Sequence, residues 1–224
     1  MTRSRRLAAP LPARAQPIGE KGQGRSDLAP VVLSAFALDG AEELIGAIAV
    51  IAAQSPFRHM VTPGGFSMSV AMTNCGAFGW VTDRSGYRYS PTDPESGRPW
   101  PAMPAPIRDL AMRAADRAGF GAFAPDACLI NRYAAGAKLA LHQDKDERDY
   151  AAPIVSVSLG LPATFLFGGL ARRDKVMRIA LSHGDVVVWG GAARLAYHGV
   201  APLKEGDHPQ LGSHRFNMTI RKAS

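Results

Sequence analysis

The chain has 224 residues, 46% of them apolar and 20% charged, with a net charge of +7; this suits one domain with a single core. No run approaches the roughly 18 consecutive apolar residues of a membrane span, so a soluble, cytoplasmic protein with no membrane contact is expected. Its two cysteines, Cys75 and Cys128, lie far apart with no Cys-x-x-Cys pair, which points to reduced thiols and away from a disulfide scaffold.

Residues 1–27 are rich in Pro, Gly, Ala and Arg and show no hydrophobic period, the composition of a disordered tail. They carry six basic residues against Glu20 and Asp27, or +4 of the total charge. Such a tail attracts nucleic acid, but equally any other polyanion. Order is expected from about Val31. Asp39 with Glu42 three residues later resembles a capping box, opening a helix through Gln54 with Leu44, Ile45, Ile48 and Ile51 as its apolar stripe.

Residues 62–102 are dominated by Gly, Pro, Ser and aromatics, including Trp80, Tyr87, Tyr89 and Trp100. The segment reads as too polar and broken for a core sheet and too aromatic for a linker. A long ordered loop-and-hairpin of this kind is usually functional. A second helix is expected from about Pro104 to Ala118, stopped by Gly119.

From Ala127 onward the pattern turns to short β-rich runs: 127–133, 138–142, 154–159, 164–167, 176–182, 185–189, 196–200 and 215–221. Eight short strands without intervening helices suggest a barrel or a double-sheet jelly roll. The fold class expected is α+β, a jelly-roll core (double-stranded β-helix) at 127–224. Helices and a lid at 28–126 would pack on it, the whole acting as one functional domain.

The chemistry concentrates at His142-Gln143-Asp144. On a strand, residues i and i+2 point the same way, so His142 and Asp144 can reach one metal. Two imidazoles and one carboxylate form the facial triad that leaves open positions on non-haem Fe(II). Alone, His-x-Asp is a weak signal, and the second imidazole must come from His59, His183, His198, His208 or His214. His198 is best placed, on a strand with Gly199 beside it, whereas His183 before Gly184 reads as a turn residue. Arg215-Phe-Asn-Met-Thr-Ile-Arg221 puts Arg215, Asn217, Thr219 and Arg221 on one strand face. Inward arginines are costly without an anion, and their fork matches a carboxylate.

The runs Asn131–Glu147, Ile154–Pro162, His183–Gly191 and Arg215–Arg221, with Met72–Trp80 and Gly86–Pro104 before them, together resemble the AlkB family of Fe(II)/2-oxoglutarate dioxygenases. The matches span about residues 65–222 in the family's order. The resemblance implies that His142, Asp144 and His198 hold Fe(II), and that 2-oxoglutarate and O2 are cosubstrates. Asn131, Arg132, Tyr133, Arg215, Asn217 and Arg221 would bind 2-oxoglutarate. Trp80 and the His142 ring would sandwich a flipped base, with Asp146 and Glu147 at its exocyclic amine. Met72, Tyr87, Arg88, Tyr89 and Arg172 would complete the nucleotide contacts in an N-terminal recognition lid.

The activity so implied is oxidative dealkylation of bases such as 1-methyladenine and 3-methylcytosine in single- or double-stranded DNA, and in RNA, by a monomer. A jelly-roll oxygenase acting on a small molecule would need the triad but not Trp80, Tyr87 and Asp146. A binding module with a decayed site would not keep the triad intact. Departures from the family pattern are Ala135 where the pattern has Pro, and the divergent lid residues Ala77-Phe78 and Val81 to Ser85.

Overall fold

The structure, a computed structural model, describes residues 28–224 together with Ala15–Gln16. In chain order its elements are β1 (Ala15–Gln16), β2 (Val31–Leu33), α1 (Ala41–Gln54), β3 (Arg58–Val61), β4 (Ser67–Gly76), β5 (Gly79–Asp83), β6 (Gly86–Ser90) and α2 (Ala105–Arg117). They continue with β7 (Ala127–Tyr133), β8 (Leu139–His142), β9 (Ile154–Gly160), β10 (Ala163–Phe167), β11 (Met177–Leu181), β12 (Val186–Trp189), β13 (His198–Val200) and β14 (Arg215–Arg221). Of the tail expected to lack structure, only β1 is described, as a two-residue strand antiparallel to β2; the rest of that expectation lies outside the described residues.

Two sheets make the jelly roll. The larger runs β1-β2-β12-β9-β14-β7-β4-β3 and the smaller β11-β10-β13-β8, while β5 and β6 pair as a separate hairpin. The named pairings are antiparallel, and the eight strands expected after Ala127 form within two residues of their expected bounds. The expected α+β jelly-roll architecture is thus present.

Period-two alternation explains how the large sheet separates two cores. On β9, Val155, Val157 and Leu159 face one side and join the cluster containing Ile48, Ile51, Ile107 and Leu110 of the two helices. The opposite face packs toward Phe165, Phe167 and Trp189 between the sheets. Helices therefore cover one face of the large sheet, and the small sheet covers the other.

Two expectations are corrected. The helix α1 begins at Ala41 with Gly40 as its N-cap and no side-chain cap bond. Asp39 lies one residue outside the position from which a cap oxygen reaches the first amides; Glu42 and Glu43 act instead through the first-turn dipole. The second correction concerns residues 62–102. Within them β4 is a ten-residue strand, paired with β7 from Ala71 to Gly76 and buried from Val70 to Cys75. The Ser and Thr residues of Ser67-Met-Ser-Val-Ala-Met-Thr-Asn-Cys75 masked it, because here burial on both faces replaces alternation.

Candidate metal centre

The small sheet brings the two histidines together. His142, the last residue of β8, pairs directly with His198, the first of β13. Asp144 follows two residues after His142, beyond the strand end. Its carboxylate oxygens lie 3.7 Å from His142 Nε2 and 3.5 Å from His198 Nε2, and the three ligand atoms all fall within 4.8 Å of one another. His142 Nδ1 lies 2.8 Å from the Ala140 carbonyl and His198 Nδ1 3.0 Å from the Ala196 carbonyl. With Nδ1–H donating to those carbonyls, each ring turns an unprotonated Nε2 toward the same point.

Charge at the centre is arranged for binding a cation. Burial, with the His198 ring beside it, pulls the His142 imidazole down to about 4. Burial alone would raise the Asp144 carboxyl, but Arg221 and the two imidazoles hold it well below the usual carboxylate range. At neutral pH the donor set is a neutral imidazole and a carboxylate with His198 beside them. Of the other histidines, His59 is exposed and meets the Met68 carbonyl, and His183 accepts the Gly160 amide at its turn. His208 lies tilted against His183 and His214 packs near Phe216.

A cavity of about 450 Å³ opens above the triad. At its inner end the register of β14 with β7 sets Arg215 opposite Tyr133 and Asn217 opposite Asn131. Arg215 is 1% exposed, and its Nη2 donates to Ser158 Oγ at 2.9 Å. Its Nε–H and the Tyr133 hydroxyl are buried with no partner. Asn217 is held by Ser156 Oγ and the Val157 carbonyl. Arg221 lines the same cavity but gives its Nε and Nη2 to Asp144 Oδ2 at 2.9 and 2.6 Å. Arg132 does not join this group. Its position between Asn131 and Tyr133 turns it to the opposite face of β7, where its guanidinium lies over Phe57.

At the mouth the β5–β6 hairpin supplies Trp80, stacked on Tyr87 at 5.7 Å and 20°. The Trp80 indole N–H donates to Asp146 at 2.8 Å. Gly79 is required beneath it, since a Cβ there would overlap the Trp100 indole. Met72 and Arg172 also line the cavity, the latter donating to the Leu141 carbonyl. Three expected nucleotide contacts sit elsewhere. Arg88 pairs with Asp83 on the outer face of the hairpin. Tyr89 is turned inward by alternation, and its hydroxyl donates to Glu147 at 2.7 Å. Glu147 itself is buried among Arg194 and Arg221 and does not reach the cavity wall.

Several wall residues escaped sequence reading. Ser156 on the wall and Ser158 behind it, which holds Arg215, had a usable signal, the polar beat of Ile-Val-Ser-Val-Ser-Leu. Phe165 and Trp189, packed on the His198 ring, read only as ordinary core. Gln143, between two candidate ligands, ties the β8 end to the Leu195 carbonyl.

The sequence pattern of the 2OG-Fe(II) oxygenase superfamily matches residues 31–221. The chain is 63% identical over 193 residues to the alpha-ketoglutarate-dependent dioxygenase AlkB of Escherichia coli (strain K12), covering 86% of this chain and 89% of that one. The chain belongs to the AlkB branch of the 2OG-Fe(II) oxygenases. It is also 32% identical over 132 residues to the nucleic acid dioxygenase ALKBH1 of Homo sapiens, 57% of this chain and 33% of that one. A solved structure described as that of OsALKBH1 superposes with a TM-score of 0.74 at 28% identity, covering 86% of this chain and 96% of its own.

Fe(II), 2-oxoglutarate and O2 are accordingly the metal and cosubstrates of this AlkB-branch dioxygenase. The residues fit them. Two imidazoles and one carboxylate suit Fe(II) with positions left open. The unpartnered Arg215 Nε–H and Tyr133 hydroxyl, deep in the same cavity, suit the carboxylate of a dicarboxylic acid.

Proposed function

We propose that this dioxygenase dealkylates N-alkylated nucleobases, 1-methyladenine and 3-methylcytosine among them, in single- and double-stranded DNA and also in RNA. The observation that carries the reading is the placement of Trp80 and Asp146 at the mouth of the cavity whose floor is His142, Asp144 and His198. A small-molecule oxygenase needs the floor; it has no need of an aromatic slab backed by a carboxylate at the rim.

Iron with 2-oxoglutarate and O2 supplies oxidation of the N-alkyl carbon, the cosubstrate leaving as succinate and CO2 and the alkyl group as an aldehyde. The protein's part is positional. His142, Asp144 and His198 hold the metal at the end of the small sheet. Arg215 binds one carboxylate of 2-oxoglutarate, with Tyr133, Asn131 and Asn217 around it. Trp80 stacks on one face of an extruded base, with the His142 ring toward the other, in the manner of base-flipping enzymes. Asp146 accepts from the exocyclic amine and complements the positive charge that N-alkylation puts on the ring. Tyr87 and Arg172 flank the strand at the rim.

No helix among the described residues is long and apolar enough to cross a membrane. We place the protein in the cytoplasm as a monomer in which the lid and the jelly roll act as one functional unit. Mass analysis of a panel of N-alkylated DNA and RNA oligonucleotides, incubated with Fe(II), 2-oxoglutarate and O2, tests the function. Loss of the alkyl mass with stoichiometric succinate is expected. Succinate formation indifferent to every oligonucleotide would return the small-molecule reading.

A further inference from the structure

We propose that Arg194, which lies behind the metal centre and lines no part of the cavity, is the positioning residue that presents Asp144 to the metal and Asp146 to the base. The inference rests on the roles given above to those two aspartates. Residues 143–153 contain no strand or helix, so no backbone ladder sets their conformation, and beyond the Arg148 amide on the Ala223 carbonyl side chains do so.

Arg194 is 3% exposed and reaches four points of this segment at once. Its Nη1 donates to the Asp144 carbonyl at 2.8 Å and its Nε to the Ala152 carbonyl at 3.1 Å. Its Nη2 pairs with Glu147 Oε2 at 3.1 Å, and its guanidinium carbon lies 5.5 Å from the Tyr150 ring centroid. Tyr150 adds a cross-tie of its own, its hydroxyl donating to the Lys145 carbonyl.

Glu147 then passes the constraint on. Its Oε1 accepts from Tyr89 of the lid at 2.7 Å and lies 3.4 Å from Arg221 Nε. Arg221 in turn holds the Asp144 carboxylate. Arg194, Glu147, Arg221 and Asp144 thus form a closed ring of two cations and two anions, which is neutral and so tolerates burial. Asp144 is gripped at both ends of that ring, by its carbonyl and by its carboxylate. Asp146 sits between two restrained residues, which leaves its side chain directed at the rim. Only a planar fork serves two carbonyls in fixed directions and faces a carboxylate at the same time; a lysine ammonium cannot.

The test uses the full chain with Arg194→Lys. Co(II) binding, followed by visible absorption, reads the metal centre without turnover. KM values for a methylated oligonucleotide and for 2-oxoglutarate, at saturating Fe(II), read the two ends of the cavity. Loss of a residue that orients a metal ligand typically weakens metal binding about ten- to hundredfold, and that drop is expected for Co(II). The oligonucleotide KM should rise by more than the 2-oxoglutarate KM, because Arg215 and Tyr133 lie outside the ring and only Arg221 belongs both to it and to the 2-oxoglutarate end of the cavity. A folded variant with unchanged Co(II) affinity and unchanged oligonucleotide KM overturns the proposal. If Arg194→Lys does not fold, Glu147→Gln breaks the same ring with its shape retained and is judged by the same two measurements. Absence of dealkylation by the unaltered protein would overturn the functional reading, and the Co(II) titration would still decide the role of Arg194.

Discussion

The indole N–H of Trp80 donates to the Asp146 carboxylate at 2.8 Å, joining the lid hairpin to the loop that follows the metal ligands. The group proposed to stack on a base and the group proposed to read its edge are therefore bonded to each other across the mouth. A base entering the slot would use the Trp80 face turned away from Tyr87 and bring its amine to the carboxylate that the bond has already oriented.

Base–aromatic stacking is worth about 1–3 kcal/mol per base. Trp80→Ala should then weaken binding of methylated single-stranded DNA by roughly ten- to hundredfold, with iron and 2-oxoglutarate binding retained. Parallel titrations of oligonucleotide and cosubstrate check this. Equal oligonucleotide affinity, or joint loss of cosubstrate binding, would make Trp80 a packing residue.

Asp144 is the anionic member of the triad and also the partner of Arg221. Asp144→Ala should abolish turnover and strongly weaken Fe(II) binding, since the anionic ligand is lost and the Arg221 guanidinium, left unpaired beside two imidazoles, repels a cation. Anaerobic Fe(II) titration measures it; demethylation at the unaltered rate would remove Asp144 from the metal site.

Burial pulls the Arg215 guanidinium down in pKa, as expected of a cation awaiting an anion. A charge-assisted hydrogen bond contributes about 1.5–3 kcal/mol, so Arg215→Ala should raise the 2-oxoglutarate requirement by roughly ten- to hundredfold or more. Arg215→Lys should recover only part, lacking the bidentate fork. The readout is succinate yield against 2-oxoglutarate concentration, and an unchanged curve for the alanine variant would refute the clamp.

Outside the site, Asp93 anchors the loop before Trp100. Burial works to raise its carboxyl, but Arg58 at 2.7 Å, the Glu95 amide and the Ser96 hydroxyl hold it below the usual carboxylate range. A depressed folded pKa contributes stability above the unfolded value near 3.9 and loses it as pH falls through the folded value. Asp93→Asn should cost roughly 1–3 kcal/mol at pH 7. Thermal unfolding should show that gap closing below about pH 4; a gap independent of pH would mean that Asp93 acts by packing alone.

Local pattern determined much of this protein. Alternation on Arg215–Arg221 and the i, i+2 spacing of His142 and Asp144 are properties of a strand wherever it lies, so the clamp and two candidate ligands were readable from single segments. The stripe Leu44, Ile48, Ile51 likewise announced a helix. Choosing His198 among five histidines needed judgement about its neighbours, because pairing with His142 across β13 and β8 joins residues far apart in the chain. The turn of Arg132 away from Asn131 and Tyr133 follows from the same alternation, but the partners of Glu147 and Tyr89 were set by tertiary structure alone, because sequence proximity cannot say which buried charge claims a polar residue first. Arg194 had no signal at all, since a guanidinium that binds two backbone carbonyls, a carboxylate and a ring face is defined only by the loop folded around it.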